Sequence, residues 1–299
     1  MRVLFPSQPF EPKSVDSAFQ AESRAAQQAG LDIGLINSEA LDQDAYDKAV
    51  RRLPEIEQAE IVVYRGWMMT AGSYAALCDA LSRRHFTLLN DAEQYRHAHH
   101  LPESYPTISD YTPKTVWTTS GSTFDLAAVM KLLAPFGKAP LIVKDYVKSQ
   151  KHYWNEACFI PSAADQESVQ SVVTKFIELQ GDHLAGGLVF REFVELEPLT
   201  THSKSGMPLT KEFRIFFLDG RPLLTVAYWG EGEYHDEKPP TDLFMDVAPR
   251  IKSRFFTMDV ARRTDGQWII MELGDAQVAG LPERLDANQF YEALAARFS

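Results

Sequence analysis

The sequence predicts an α/β domain at the N-terminus, followed by a larger α+β domain. In the first hundred residues, short apolar runs typical of buried strands alternate with segments of helical periodicity, which indicates a mainly parallel sheet. Further along, two Asp-Gly dipeptides separate apolar segments, which is typical of antiparallel hairpins. The length of 299 residues fits two domains. We expect them at 1–105 and 106–299, because three prolines interrupt the pattern between 101 and 114.

The elements of the first domain follow from its periodicity. Strands are expected at 3–5, 31–37, 61–64 and 87–89. Helices are expected over 14–29 and 73–83, where apolar residues recur on one helical face. Gly30 follows the first helix and suits a left-handed C-terminal cap.

The second domain contains strands, one central helix and two predicted hairpins. Strands are expected at 141–143 and 188–194, and an amphipathic helix over 167–179. The first hairpin joins 212–218 to 221–229 through Asp219-Gly220, and the second joins 255–264 to 267–273 through Asp265-Gly266. A last helix is expected to start at Asp286.

Composition excludes several classes of protein. The chain carries 30 Lys and Arg against 41 Asp and Glu, a formal charge of −11, which argues against nonspecific binding to nucleic acid or to an anionic membrane. No apolar run is long enough to span a bilayer. The two cysteines, Cys78 and Cys158, lack a CxxC spacing, so we expect reduced thiols and a cytoplasmic location.

The second predicted hairpin brings two acids together. If Asp265 and Gly266 are the two turn residues, Asp259 lies directly opposite Glu272 among apolar neighbours. Like charges at that spacing destabilise a strand pair unless a cation or a shared proton compensates them. Because Mg²⁺ binds one or two carboxylates together with substrate phosphates, the pair predicts a magnesium site. The alternative is a solvated pair at a frayed sheet edge.

Two groups of cations suit phosphate. Lys144 ends an apolar strand, and Lys148 and Lys151 follow it closely, which indicates either a phosphate site or a solvated basic loop. In the strand 212–218, Arg214 shares a face with Glu212. Arg214 is therefore expected either to contact an anion or to form an ordinary surface ion pair.

Three further features leave alternatives open. Arg65 follows a strand and suits either recognition of an acceptor carboxylate or a packed strand–loop corner. The run 97–100 contains three histidines, with His85 upstream, and indicates either zinc binding or a polar helix end. The acidic segment 230–242 is expected to be a mobile surface loop near the site, either simply solvated or selecting a cationic acceptor.

Five segments, taken in their order along the chain, carry a resemblance to a known family. They are LIVKDYVKS at 141–149, LVFREFVELE at 188–197, KEFRIFF at 211–217, FFTMDVARR at 255–263 and WIIMELGDAQ at 268–277. Over roughly residues 87–282, the chain resembles the ATP-grasp superfamily, most of all the RimK-related bacterial clade with an ELGDxQ ending. It is also similar to the eukaryotic cell-division-cycle ATP-grasp family of assembly factors. The resemblance implies a pre-ATP-grasp domain at 1–105 and an ATP-grasp domain at 106–299, with a mobile lid at about 115–190.

The resemblance implies a site for ATP and Mg²⁺. Lys144 would contact the α- or β-phosphate, with Lys148 or Lys151 nearby on the lid. The predicted adenine hinge consists of Arg191, Glu192, Phe193 and Val194, whose backbone groups would read the base and whose last two side chains would give apolar contact. Glu195 or Glu197 would reach the ribose hydroxyls.

The same resemblance assigns the charged groups. Arg214 and Lys144 are the expected catalytic residues, because they would stabilise phosphate charge. Asp259 and Glu272 would hold Mg²⁺. Many family members place Asn two residues after the second acid, where this chain has Gly274. The third ligand is therefore expected to be Asp275 or Gln277.

The reaction implied is ligation. In the family, a substrate carboxylate attacks the γ-phosphate of ATP, and an amine or a thiol then displaces phosphate from the acylphosphate. We therefore expect an ATP- and Mg²⁺-dependent carboxylate–amine or carboxylate–thiol ligase that releases ADP and phosphate. Its carboxylate and its acceptor, which is a small molecule, a peptide or a protein, are not identified by the sequence. An ATP-binding assembly factor without ligase turnover and a phosphotransferase are the alternatives.

Overall fold

The computed structural model describes residues 1–119, 124–203, 208–235 and 237–298. Its strands are β1 (Arg2–Gln8), β2 (Glu11–Val15), β3 (Asp32–Ile36), β4 (Glu60–Tyr64), β5 (Phe86–Leu88), β6 (Thr115–Trp117), β7 (Leu141–Lys144), β8 (Phe159–Ile160), β9 (Val189–Glu192), β10 (Pro198–Thr201), β11 (Pro208–Thr210), β12 (Glu212–Leu218), β13 (Arg221–Ala227), β14 (Phe255–Arg262) and β15 (Trp268–Asp275). Its helices are α1 (Gln20–Gln28), α2 (Ser38–Asp42), α3 (Tyr46–Val50), α4 (Ala71–Ser82), α5 (Ala92–His99), α6 (Leu101–Ile108), α7 (Leu126–Leu133), α8 (Trp154–Ala157), α9 (Gln166–Gln180) and α10 (Ala287–Ala295). Within the described part of the chain, no helix is both long enough and apolar enough to cross a bilayer.

The chain folds as two compact units that are not contiguous in sequence. The first consists of Met1–Ala98, Pro198–Val260 and Glu272–Ser299, and the second of His99–Glu197 and Ala261–Met271. The expected lid at 115–190 falls inside the second unit, although 120–123 lie outside the described residues. The boundary predicted at residue 105 assumes two domains that are each continuous in sequence. The two compact units are instead assembled from segments that lie far apart in the chain.

A mainly parallel sheet forms the N-terminal part of the first unit, as the sequence predicts. β1 pairs in parallel with β3 on one side and with β4 on the other, and β4 pairs in parallel with β5. Val3 and Phe5 belong to one hydrophobic core and Leu4 to another. This alternation shows that both faces of the sheet are covered, because successive side chains of a strand point to opposite faces.

The helix expected over 14–29 was wrong at its start. The helix predicted over 14–29 begins only at Gln20, because Glu11–Val15 forms a strand that pairs antiparallel with β1. The Pro-containing junction at 101–114 is largely helical. Pro102 lies in the first turn of α6, where its missing N–H costs nothing.

The first hairpin has the predicted turn. Leu218 pairs with Arg221, so Asp219 and Gly220 are the only turn residues, and both have left-handed φ angles of 50° and 70°. This hairpin forms the edge of a four-stranded sheet in the order β13-β12-β14-β15. Phe216 of β12 packs its ring against that of Phe290 in α10 at 5.1 Å, within the core of the first unit.

The second hairpin does not have the predicted two-residue turn. The N–H of Arg263 donates to the carbonyl of Gln267, and the N–H of Gly266 donates to the carbonyl of Arg263. Three residues therefore form the turn, with Gly266 left-handed at φ 88°. Toward the other end of the strands, the N–H of Ala276 donates to the carbonyl of Phe255, so β15 has one more residue than β14 between these bonds.

The second unit is built on an antiparallel sheet. Its strands lie in the order β6-β9-β7-β8. α7 and α9 bury apolar faces in the core of this unit, with Val129, Val173 and Phe176 almost fully buried. The sheet holds Lys144 at the end of β7 and delivers the predicted adenine hinge at the end of β9.

Candidate functional site

A bidentate ion pair joins two neighbouring strands of the four-stranded sheet. Nε and one terminal nitrogen of Arg214 in β12 donate to Oδ1 and Oδ2 of Asp259 in β14, both at 2.8 Å. Another terminal nitrogen of Arg214 donates to the carbonyl of Gly280. Both side chains are largely buried, with exposed fractions of 14% and 8%. A buried guanidinium and carboxylate in this fork geometry hold each other in a single orientation.

The surroundings of the pair reinforce its charge. The guanidinium lies 4.9 Å from the centre of the Tyr228 ring, a cation–π contact. Burial opposes the charge of Arg214, but nearby Asp259 outweighs it, so the pKa of Arg214 is raised. Burial and then Asp259 raise the pKa of Tyr228 to about 12. The arginine therefore stays protonated and the tyrosine neutral at physiological pH.

Glu272 belongs to the same electrostatic cluster but is not buried. Its charge raises the pKa of both Arg214 and Tyr228, after the larger effects of Asp259. The side chain is exposed in β15, so the prediction of two buried acids was wrong for this member. The bonds Ala276–Phe255 and Thr257–Gly274 keep the predicted register, and Glu272 is exposed on β15, the last strand of the sheet. The structure thus brings Arg214, Asp259 and Glu272 together, with one acid buried and one open to solvent.

The predicted lysines lie in the second unit. Lys144 ends β7 and is only 8% exposed, whereas Lys148 and Lys151 are exposed. Burial raises the pKa of the Cys158 thiol to about 11, and the charges of Lys144 and Lys151 partly oppose that shift. The ammonium groups of Lys144 and Lys151 therefore both act electrostatically on the thiol of Cys158.

Sequence reasoning missed Asp145, which follows Lys144 directly. The carboxylate is buried and accepts hydrogen bonds from the backbone N–H groups of Val147 and Lys148 at 2.7 and 2.5 Å. An Asp whose side chain caps the next backbone groups is a common turn device, so the Asp within the KDYVK segment was the available signal.

The adenine hinge predicted from the resemblance runs along and beyond β9. The guanidinium of Arg191 donates to Thr112 Oγ1 and to the carbonyls of Ile270 and Met271, so this side chain ties strands together. Glu192 is half-buried and its N–H donates to the carbonyl of Lys114.

The end of the hinge is aromatic. The N–H of Phe193 donates to the carbonyl of Pro140, and its ring packs edge-on against Phe159 at 5.2 Å. Trp154 contacts both rings and is itself partly exposed. Val194 follows and is half-buried.

The two predicted ribose ligands differ in their surroundings. Glu195 is exposed, and its backbone carbonyl accepts from the N–H of Thr264. Glu197 forms an ion pair with Arg262. The carboxylate of Glu195 is the more accessible of the two.

Comparison with known proteins assigns the family. A model described as ATP-grasp domain, R2K clade family 3, matches residues 135–294, more than half of the chain.

The chain belongs to the R2K clade of ATP-grasp proteins. This membership confirms the resemblance seen in the sequence. No curated protein matches the sequence.

Solved structures share the fold of this ATP-grasp protein. The D-cycloserine synthetase DcsG is 15% identical, with a TM-score of 0.60 and full coverage of both chains. A RimK domain ATP-grasp protein from Sphaerobacter thermophilus DSM 20745 is 12% identical, with a TM-score of 0.60 over 99% of this chain and 98% of that one. The ATP-grasp ligase PsnB, complexed with a phosphomimetic variant of minimal precursor, Mg and ADP, is 12% identical, with a TM-score of 0.58 over the same shares.

Arg65 lies in a packed strand–loop corner. The side chain is 1% exposed, binds Glu22 through two nitrogens, and donates to the carbonyls of Ala276 and Ala279. Its guanidinium also lies 5.2 Å from the ring centre of Phe290. The geometry therefore favours a structural role over recognition of an acceptor carboxylate.

The histidine run lies on helix α5 and the start of α6. His97 and His99 are buried. Across 1–119, 124–203, 208–235 and 237–298, no group of three or more His, Cys, Asp or Glu side chains could hold a metal ion. Any divalent ion near Asp259 and Glu272 therefore needs further ligands from the nucleotide or from water.

The segment 230–242, expected to be a mobile surface loop, makes several contacts within the first unit. Arg284 donates to the carbonyls of Gly230 and Gly232, and Ser203 donates through its N–H and hydroxyl to the carboxylate of Glu231. Lys211 pairs with Glu237 at 2.9 Å. Asp236 lies outside the described residues. The carboxylates of Glu231 and Glu237 are thus used within the fold.

Asp275, predicted as a third metal ligand, is a fully buried structural group. Its Oδ2 accepts from Nδ2 of Asn90 at 2.6 Å, and its Oδ1 accepts from the N–H and the side-chain amide of Gln277. The amide of Gln277 also donates to the hydroxyl of Tyr74, while its oxygen accepts from the N–H of Tyr64. Burial raises the pKa of Asp275 to about 6. Both candidate third ligands are therefore engaged in one buried network and do not fit a metal site.

Gly274, where many family members have Asn, lies close to Thr257. A Cβ atom on Gly274 would lie 2.8 Å from Oγ1 of Thr257, closer than real side chains approach. A larger residue at this position would therefore require the hydroxyl of Thr257 to move.

Asp275→Asn separates the structural role from a metal role. Both oxygens of Asp275 face donors that cannot reverse, because Oδ1 of Asn90 accepts from two backbone N–H groups and the N–H of Gln277 is fixed. The new amide must meet one of them, so the free energy of unfolding should fall by about 1–3 kcal/mol. Chemical denaturation measures it without Mg²⁺ or nucleotide. The matched control is Asp286→Asn at the exposed cap of α10, where Asn serves equally well. Equal stability of D275N and D286N would contradict the structural role.

Proposed function

We propose that this protein is an ATP- and Mg²⁺-dependent ligase that activates a carboxylate as an acylphosphate and transfers it to an amine or a thiol. The observation that carries the proposal is the cluster of Arg214, Asp259 and Glu272 on one sheet face of an ATP-grasp fold. Phosphoryl transfer needs positioned cations and metal ligands more than covalent help from the protein. The cluster offers both kinds of group.

The residues fit Mg²⁺. Asp259 and Glu272 present carboxylate oxygens, the hard ligands that this ion prefers, and Mg²⁺ is commonly held by one or two carboxylates together with phosphates. When bound, the ion would neutralise charge on the phosphate oxygens. Arg214 fixes the orientation of Asp259 and adds a permanent positive charge for the transferred phosphoryl group.

The second unit supplies groups that suit a nucleotide. We propose that Lys144 contacts the phosphates, assisted by Lys148 or Lys151. The backbone from Arg191 to Val194 would read the adenine edge, next to the aromatic cluster around Phe193. Glu195 is the better placed of the two predicted ribose ligands, because Glu197 is paired with Arg262. Reduced cysteines, both free thiols here, suit the proposed cytoplasmic location.

The acceptor is proposed only as a class. Structures with this fold include a D-cycloserine synthetase. They also include an ATP-grasp ligase that is complexed with minimal precursor. We propose that the acceptor here is likewise a small molecule or a peptide that carries an amine or a thiol.

The metal assignment is tested by nucleotide-dependent thermal stabilisation. A ligand at a hundredfold excess over its Kd stabilises the native state by about 2.7 kcal/mol, so MgATP should raise the Tm measurably. The part of the shift that depends on Mg²⁺ should largely disappear in Asp259→Asn and Glu272→Gln. The shift is compared rather than the Tm itself, because loss of Asp259 also leaves Arg214 without its bidentate partner.

Asp219→Asn is the matched control for that experiment. Asp219 also pairs with an arginine, Arg254, but the pair is exposed at the β12–β13 turn. Its Mg²⁺-dependent shift should equal that of the unaltered protein. If E272Q and D259N kept the full shift as well, the metal site would lie elsewhere.

Turnover tests the reaction class. Amino acids and peptides are screened for release of ADP and phosphate, which a ligase should give only with both co-substrates present. In the active combination, Arg214→Lys should lower kcat by about 10²–10³-fold, because Lys keeps the charge but loses the fork. Tight binding without turnover would instead indicate an assembly factor, and stable label from ATP on a single acceptor would indicate a phosphotransferase. An R214K variant with unchanged kcat would contradict the role given to Arg214.

A further inference from the structure

Asp145 accepts four hydrogen bonds at the base of the segment 144–151, which carries Lys144, Lys148 and Lys151 and is called the lysine loop below. The residue is 1% exposed. One oxygen, Oδ1, accepts from the N–H groups of Val147 and Lys148, and the other, Oδ2, accepts from Nε2 of Gln180 at 2.7 Å and from the N–H of Ala185 at 3.1 Å. A buried carboxylate is stable only when donors surround it in this way.

These bonds connect three separate segments. The donors to Oδ1 belong to the turn that follows Lys144, while those to Oδ2 come from the end of α9 and from the segment before β9. The side-chain oxygen of Gln180 in turn accepts from Nε2 of Gln150, later in the lysine loop. Asp145 is thus the point at which the turn is attached to the rest of the second unit.

Packing around the next residue gives the turn little freedom. The hydroxyl of Tyr146 donates to the carbonyl of Thr118, and its N–H donates to the carbonyl of Ala185. A Cβ atom on Gly186 would lie 2.2 Å from the Tyr146 ring, so only glycine permits this approach. These contacts hold the turn in a conformation in which Lys144 is mostly buried and Lys148 is exposed.

We propose that Asp145 is a positioning residue for phosphate recognition. By fixing the turn 145–148, it sets the backbone from which Lys144 and Lys148 reach the nucleotide phosphates. This inference rests on the proposed function, since it assigns the lysines to a nucleotide. Asp145 does not itself contact the nucleotide, because both of its oxygens accept from protein donors.

The test compares ligands with and without phosphates. In Asp145→Asn, the new amide must face either the N–H of Ala185 or the N–H groups of the turn, so the turn should shift. The affinity for MgADP and for a non-hydrolysable MgATP analogue should fall by at least about tenfold, equivalent to ~1.4 kcal/mol. The affinity for adenosine, measured in the same titrations, should change less than about twofold.

Asp165→Ala is the control for general damage to the second unit. Asp165 caps α9 through two backbone N–H groups, as Asp145 does for its turn, but it lies at the other end of that helix from Gln180. D165A should lower stability while leaving the affinity for MgADP unchanged. If D145N fails to fold, Gln180→Ala decides the matter. It removes one of the four donors and should weaken MgADP binding by about threefold without affecting adenosine.

The outcomes separate this inference from the proposed function. An unaltered protein that binds neither MgADP nor MgATP would overturn both. Normal binding by the unaltered protein together with unchanged MgADP affinity in folded D145N, or in Q180A where D145N does not fold, would overturn the positioning role alone. An equal loss for adenosine and for MgADP would also overturn it, because a purely structural residue produces that result.

Discussion

The fork between Arg214 and Asp259 is the constraint around which the proposed chemistry is organised. A buried carboxylate is costly unless a partner compensates it, and Arg214 does so with two hydrogen bonds at 2.8 Å. The pair fixes the facing side chains of β12 and β14. A carboxylate held in this way is a prepared ligand for a hard cation. Glu272 shares the electrostatic field and remains exposed to solvent.

The acids near the end of the chain have separate tasks. Asp259 and Glu272 lie with Arg214, whereas Asp275, only three residues beyond Glu272, is enclosed by Asn90 and Gln277. The ELGDxQ ending therefore combines one exposed acid with a buried polar network that holds β15 in place. A similar division holds in the lysine loop. Lys144 and Lys148 carry charge, while the neighbouring Asp145 shapes the backbone that presents them.

Much of the fold could be predicted, because local patterns agree with the final contacts. The parallel strands of the N-terminal sheet and the hairpin at Asp219-Gly220 formed as periodicity and turn chemistry indicated. The Asp265-Gly266 dipeptide gave a three-residue turn instead, beside which the N–H of Thr264 donates to the distant carbonyl of Glu195. The burial of Asp275 and the commitment of Arg65 to Glu22 likewise depend on partners far along the chain. The sequence pattern shows that such residues can carry charge, but not which partners they meet.

Electron paramagnetic resonance of Mn²⁺, used in place of Mg²⁺, tests the central claim most directly. The unaltered protein, titrated with Mn²⁺ and a non-hydrolysable ATP analogue, should give the signal of a protein-bound Mn²⁺–nucleotide complex. We predict that Asp259→Asn and Glu272→Gln lose most of that signal, whereas Asp219→Asn retains it. Full retention of the bound signal by both D259N and E272Q would contradict the assignment of these acids to the metal and, with it, the role proposed for the Arg214–Asp259 fork.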